Sequence, residues 1–466
     1  MKRLLFLAPI LLSGATLPQK LAPVADLPAT ARRTAMAAPT AQPVARSLGP
    51  QGTTAVDDVV TAANAFIATL SATQQATLLQ EFNSTTVTKW TNLPVNATNR
   101  IGLRLDALTA AQQTAALAVV QAATGTTAND GFNEIQQIRA ADDNLAANGG
   151  GSTYGSGVYL IAFLGTPSTT GTWMLQFGGH HLATNITYGN GAVTGATPKF
   201  EGVEPLSFTT TNSNVLPAGN TYAPMSNEAS TMLAMLNGLT TAQKTTAKLS
   251  QTFNDVVLGP NGNGQFPTTK VGMPVSSLTA DQQALVVAAM KPWVQDSDDA
   301  TAAALLSTYT NQLASTYIAY SGTGNFTTEG DYVRIDGPNV WIEFACQGGI
   351  VYRNQIHYHT VWRDHARDYG GNFYTTVTGT KAAAASQIFS VYPNPSSPDK
   401  ALHVQLTSAA KVATYTLRNV LGQLVTTKSF KGNAVEVSIA SLKAGTYLLS
   451  LEVDGNAPVT HRFVVQ

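Results

Sequence analysis

The sequence predicts an α+β main domain, helices with a mixed or antiparallel sheet, followed by a small all-β sandwich. Three observations lead there: four helix-start signals in the central part, apolar alternation in two separate stretches, and an Ala-rich segment between those stretches. At 466 residues the chain is too long for one ordinary core and suits two or three units.

The helix starts read Leu70-Ser71-Ala-Thr-Gln74, Leu108-Thr109-Ala-Ala-Gln112, Leu239-Thr240-Thr-Ala-Gln243 and Leu278-Thr279-Ala-Asp-Gln282. In each, a Ser or Thr oxygen can accept from the amide three residues on, while the Gln there reaches back and the preceding Leu staples the entry. Their spacing is irregular, so they read as separate helices rather than as turns of a solenoid. Asp296-Ser-Asp-Asp299 before an Ala-rich run reads as another cap rather than a calcium loop.

Between the second and third starts the period changes. Val158–Leu164 and Trp173–Phe177 flank a Gly/Pro/Thr loop and read as strands, with more expected at Tyr332–Ile335, Val340–Phe344 and Ile356–Trp362. In Trp341-Ile-Glu-Phe-Ala-Cys346 the alternation puts Ile342, Phe344 and Cys346 on one face, making the single cysteine a packed core thiol. Lys381-Ala-Ala-Ala-Ala-Ser386 then reads as a linker, after which alternation resumes in Leu402–Leu406, Ala413–Leu417, Val435–Ile439 and Tyr447–Val453.

At the front, Met-Lys2-Arg3, the apolar run Leu4 to Leu12 and Ser13-Gly14-Ala15 form a secretory signal pattern. The expected organisation is a signal peptide over 1–16, a low-complexity leader over 17–55, the main domain over 56–378, a linker over 379–387 and the β domain over 388–466. No run approaches the ~20 apolar residues of a membrane span. No cysteine near the cleavage region offers a lipoprotein anchor. Lys+Arg and Asp+Glu balance at 27 each, so no net field attracts nucleic acid, and no Walker loop, nucleophile elbow or His-Glu-x-x-His helix is present.

Chemistry points to histidine. Five of the 7 His fall in Gln176-Phe-Gly-Gly-His180-His181 and Ile356-His357-Tyr-His359-Thr-Val-Trp-Arg363-Asp364-His365. On a strand His357 and His359 share a face about 6.5 to 7 Å apart, able to converge on one cation. Adjacent His180 and His181 diverge on a regular strand, so only one faces such a site unless Gly178-Gly179 makes a bulge. The expected centre is one divalent ion, Zn, Mn, Fe or Cu, on His180, His181, His357 and His359, with hydrolytic chemistry on an unknown small-molecule or polymer substrate. Glu204 is the first choice of further ligand or base, with Glu343 and Asp364 as alternatives, and Arg363 would hold an anionic or carbonyl group. The rival is a non-catalytic surface binding or scaffold protein in which these residues are structural and Arg363 clamps Asp364 or Asp368.

Two resemblances extend this reading. Val391-Tyr-Pro-Asn-Pro395, Leu417-Arg-Asn-Val-Leu-Gly-Gln423, Leu442-Lys-Ala-Gly-Thr-Tyr447 and Arg462-Phe-Val-Val465 resemble the type A sorting domain of the type IX secretion system. That implies handling by the type IX machinery, a Bacteroidota-type host, transit through the periplasm, and release or attachment at the outer cell surface. From about Phe66 to Phe373, Asn99-Arg100-Ile-Gly-Leu, Phe177-Gly-Gly-His180-His181-Leu, Thr197-Pro198-Lys-Phe, Glu204-Pro205 and Ile356-His357-Tyr-His359-Thr-Val-Trp362-Arg363-Asp364 resemble the family of domain of unknown function 3500. The resemblance implies no activity, and His365 departs from its pattern, which keeps His365 out of the core site.

Overall fold

The computed structural model describes residues 55–94, 100–211, 215–374, 389–397, 401–419, 423–454 and 459–466. The expected signal peptide, the leader short of Ala55 and the 379–387 linker lie outside them. No helix among the described residues is long and apolar enough to cross a membrane.

All four predicted starts are helices with both reciprocal cap bonds formed. They open α2 (Ala72–Leu78), α3 (Ala110–Ala123), α6 (Thr241–Ala247) and α7 (Ala280–Gln295), beside α1 (Ala55–Ala68), α4 (Gly131–Leu145), α5 (Ser226–Asn237) and α8 (Asp299–Asn311). Asp298 caps α8 by accepting from the Thr301 amide, as its sequence context predicts. Each capping bond contributes about 1 kcal/mol. The stapling Leu70, Leu108, Leu239 and Leu278 are all buried.

The irregular spacing conceals a duplication that the reading as separate helices missed. Ser71 and Thr109 recur as Thr240 and Thr279, at offsets of 169 and 170 residues. Gln74 meets Gln112 through their amides, and Gln243 meets Gln282 in the same way. Gly102 and Gly272 carry the same left-handed φ, +103° and +104°, each pressed against a strand carbonyl where a side chain would collide. The unit is a pair of linked helices followed by strands, so its copies do not stack as a solenoid does.

The sheet repeats the pattern. Its strands are β1 (Leu79–Gln80), β2 (Leu103–Arg104), β3 (Leu160–Leu164), β4 (Trp173–Gly179), β5 (Leu182–Gly189), β6 (Ala192–Gly195) and β7 (Lys199–Val203) from the first half. After a small ribbon of β8 (Phe208–Thr209) and β9 (Thr221–Tyr222) come β10 (Met273–Pro274), β11 (Tyr317–Ser321), β12 (Tyr332–Asp336), β13 (Val340–Gly348) and β14 (Ile356–Asp364). From the central antiparallel pair β7–β14 the order runs outward in corresponding steps, β5-β4-β3 on one side and β13-β12-β11 on the other, with β2 antiparallel on β3 as β10 is on β11, and β1 added in parallel to β3. The two halves are therefore related by a pseudo-twofold rotation at that seam.

One sheet face is covered by helices. Ile161, Phe163, Leu175 and Phe177 pack there with α1 and α3, and Ile342, Phe344 and Cys346 pack with α7. The alternate residues Ala162, Met174, Phe200, Ala345 and Val361 face a cover of irregular chain that includes Trp90, Val256 and Tyr369. Buried on both faces, the strands are nearly continuous apolar runs. The cysteine is a buried core thiol, as the alternation required.

In the C-terminal region β15 (Phe389–Tyr392), β16 (Leu402–Asn419), β17 (Leu424–Val437), β18 (Gly445–Val453) and β19 (Val459–Val465) form one antiparallel sheet. The two strands expected at 402–406 and 413–417 are one long strand. Register shifts between Gln405 and Ala413 let β16 pair β15 with its first part and β18 with its second, curling the sheet into a sandwich-like domain over a core of Phe389, Leu402, Leu417, Leu449 and Phe463.

Candidate metal centre

The central seam brings the two histidine stretches together. His180 and His181 are not on a strand: they are the two-residue turn joining β4 to β5, whose ends pair Gly179 with Leu182. His181 takes a left-handed φ of +58°. That turn, rather than a bulge, overcomes the expected divergence, because both rings leave on one side and stack with centroids 3.6 Å apart. Tyr159 donates its hydroxyl to the His180 carbonyl at 2.8 Å, and the His181 amide donates to the Asn92 carbonyl at 3.0 Å. The strain of the left-handed histidine is thus held by hydrogen bonds from outside the turn.

His357 and His359 stand on β14, the latter opposite Gly202 of β7. Gly202 has no side chain for a physical reason: a Cβ there would meet the rings of His359 and His181 at 3.0 and 3.1 Å. One ligating atom each from His181, His357 and His359 lie within 4.8 Å of one another. The Nε2 atoms of His357 and His359 are 3.2 Å apart. Two nitrogens bound at 2.0–2.1 Å to one tetrahedral ion stand about 3.3 Å apart, so one ion fits this spacing, as does a direct hydrogen bond between the rings. The first half supplies one histidine of the trio and the second half two.

His180 falls outside that trio. It groups instead with Asp142 and His181, and its Nδ1 lies 2.7 Å from Asp142 of α4. His359 Nδ1 lies 2.9 Å from Asp255. With Asp255 ionised, the proton of His359 belongs on Nδ1 and the lone pair on Nε2 faces the trio, the carboxylate–histidine arrangement of metal sites. Burial pushes the Asp255 carboxyl up, but the His359 bond and charge outweigh it and bring it below the usual range. All four imidazoles are buried. Burial, and then the neighbouring histidines, hold His181 well below its ordinary pKa and His357 down at about 3, so both offer unprotonated nitrogens at neutral pH.

The cluster forms the floor of an open cleft of about 670 Å³. Leu93 and Ile350 on its lining are 55% and 62% exposed, while among the described residues no Lys or Arg lines it. Arg100 serves the rim from outside. Its guanidinium donates to the carbonyls of Thr91 at 2.7 Å and Gly179 at 2.6 Å, tying the 91–94 segment to the histidine turn. Burial lowers its pKa to about 10.

The other residues singled out in the sequence are placed elsewhere. Glu204 Oε1 accepts the amides of Val351 and Tyr352, both at 2.8 Å, and Glu204 does not line the cleft. Arg363 is fully buried. It donates to the carbonyls of Leu258 and Gly259 at 2.6 and 2.8 Å and to Asp368 at 2.9 Å. This is the clamp of the rival reading, made with Asp368 rather than Asp364, and it leaves Arg363 no free donor face for a substrate. Asp364 receives Asn339 Nδ2 and the Ala366 and Arg367 amides on one oxygen and the Tyr309 hydroxyl on the other. Glu343 takes the Val257 and Leu258 amides and the Tyr332 and Trp341 side chains. These charges hold loops, and three of the loops border the cleft: 258–263 carries Pro260 and Asn261, 255–258 carries Asp255, and 349–352 carries Ile350.

Sequence reasoning missed Asp142 and Asp255. Neither belongs to a histidine motif, and each reaches the site through a fold contact more than 30 residues away in the chain. Gly202 carried a signal, a glycine in an otherwise bulky strand.

Fold and site together define a duplicated α+β domain with a three-histidine centre across its seam, joined in one chain to a secretion sorting domain. The chain belongs to the family described as "Protein of unknown function (DUF3500)", matched over residues 52–371, and residues 390–466 match the "Secretion system C-terminal sorting domain". The sorting domain makes this a type IX substrate, secreted or displayed on the cell surface. No curated protein matches the chain. Among solved structures it is similar to PorZ, a surface component of the type IX secretion system of Porphyromonas gingivalis, at 12% identity over 28% of this chain and TM-score 0.15. It is also similar to a polysaccharide lyase, at 13% identity over 33% of this chain and TM-score 0.14. The chain spans 15% and 26% of those two structures, and neither likeness carries an argument.

Proposed function

We propose that this exported protein binds one divalent transition-metal ion on His181, His357 and His359 and uses it to hydrolyse a substrate admitted by the cleft. The observation that carries the reading is the convergence of three imidazoles on the floor of an opening. Three imidazole nitrogen donors suit Zn or Cu best and leave a fourth position for water, whose pKa such an ion lowers to about 7. Asp255 sets the His359 tautomer, and Asp142 fixes His180, which stacks on His181 and holds it in place. The lining offers amides (Asn92, Asn261, Gln347) and apolar groups rather than cations, which fits a substrate without a phosphate or sulfate to be clamped.

The test is elemental analysis of chelator-stripped, reloaded full-length protein, with a hydrolase screen on the same sample. One Zn or Cu per chain, lost in His357→Ala plus His359→Ala, supports the reading. Bound metal without turnover in a broad screen would favour the non-catalytic surface protein. Absence of stoichiometric metal would remove the metal reading altogether.

A further inference from the structure

On the helix-covered face of the same seam lies a second constellation of opposite chemistry. Glu134 of α4, Glu201 of β7 and Asp296 at the C-terminal end of α7 each place a carboxylate oxygen within 4.8 Å of the others. Oxygens about 2.4 Å from one centre are at most about 4.8 Å apart, so the three span a calcium-sized hole. Glu228, in the first turn of α5, is fully buried and feels the charges of Asp296 and Glu201.

Two features separate this group from a self-contained ion-pair network. Both oxygens of Glu134 and both of Glu228 are buried without a hydrogen-bond partner, as is Glu201 Oε2 beyond its ion pair. Lys199 is the cation among them, 2.7 Å from Glu201 and 2.6 Å from Asp296. The Lys199 ammonium is shared among several carboxylates, and among the described residues no hydrogen bond reaches the Glu134 carboxylate. Burying unpaired carboxylates costs several kcal/mol each, so a fold that keeps them neutralises them with something.

We propose that Glu134, Glu201 and Asp296 form a second, all-oxygen cation seat that takes one calcium ion. Carboxylate oxygens select hard cations, and several carboxylates with adaptable geometry favour calcium over magnesium. Extracellular modules bind calcium at 10⁻⁴–10⁻³ M, and this protein is secreted or displayed at the surface. The ion ties α4 and the end of α7 to the central strand. Asp142, two turns beyond Glu134 on α4 and about 12 Å along its axis, then holds His180 from a fixed helix.

The experiment is calcium titration of the chelator-stripped full chain by calorimetry, with thermal unfolding in parallel. Wild type is expected to take up one calcium per chain with a saturable rise in Tm. Glu134→Gln is expected to weaken binding about tenfold or more. The His357→Ala plus His359→Ala protein is expected to keep it, which separates this seat from the histidine centre. Failure of calcium, magnesium and manganese alike to bind wild type or raise its Tm overturns the proposal without any variant. So does a calcium-free Glu134→Gln protein as stable as calcium-loaded wild type, the signature of carboxyls sharing protons instead of an ion.

Discussion

His357 Nε2 and His359 Nε2 lie 3.2 Å apart on one face of a central strand, with Gly202 leaving the space beneath the second ring. The rings of His359 and His181 both lie against that space.

Gly202→Ala should therefore disturb the centre while the fold survives. Its backbone is ordinary, so the new methyl acts by crowding the Tyr358 carbonyl oxygen at 2.8 Å and the rings of His359 and His181 at 3.0 and 3.1 Å. Metal content of the purified variant, compared with its circular dichroism, checks this: native spectrum with metal lost or reduced is expected, and unchanged metal affinity would show that the rings do not need their present positions.

Asp255→Asn removes the carboxylate that orients His359. Loss of such a partner typically weakens metal binding 10–100-fold. A competition titration with a chromogenic chelator measures it, and wild-type affinity would mean that His359 is not a ligand through Nε2.

Arg363→Ala should destabilise the protein by about 3–5 kcal/mol, because it leaves Asp368 buried and unpaired. Urea unfolding gives the number. An Arg363→Lys protein with full stability but no ligand binding would restore the substrate role expected from its sequence context.

His365 stacks on Phe266 at 3.8 Å, and burial, then Lys270, lowers its pKa to about 4. In the unfolded chain it titrates near 6.5, so between about pH 6.5 and 4 the unfolded state binds the extra proton. Its contribution is complete above pH 6.5 and is lost as pH falls toward 4. The urea midpoint of His365→Phe should decline less steeply across that window than wild type, and parallel curves would assign the acid sensitivity elsewhere.

Thr109→Ala and Thr279→Ala break equivalent caps in the two halves and should each cost about 1 kcal/mol. Unequal losses, read from the same urea curves, would show that the duplication no longer implies equivalent packing.

Much of this was legible in the chain. A capping box such as Thr279 to Gln282 is a contact between neighbours, and its consequence is the same wherever the helix goes. The His-x-His pair on one strand face follows from backbone alternation alone. The duplication was harder: its two copies share a few turn glycines and caps, and only the matched strand order made the offset visible.

Local rules of sequence determined the helices, the strands, the buried cysteine and the marks of export, because each rests on residues within a few positions of one another. Tertiary structure decided which charged groups serve the centre. Glu204, Arg363 and Asp364 sit beside the motifs yet are spent on backbone amides and carbonyls, while Asp142 and Asp255 come from distant segments. The physical reason is that a buried charge must be satisfied by whatever the fold brings near it, and that partner is chosen by the packing of sheet and loops rather than by position along the chain.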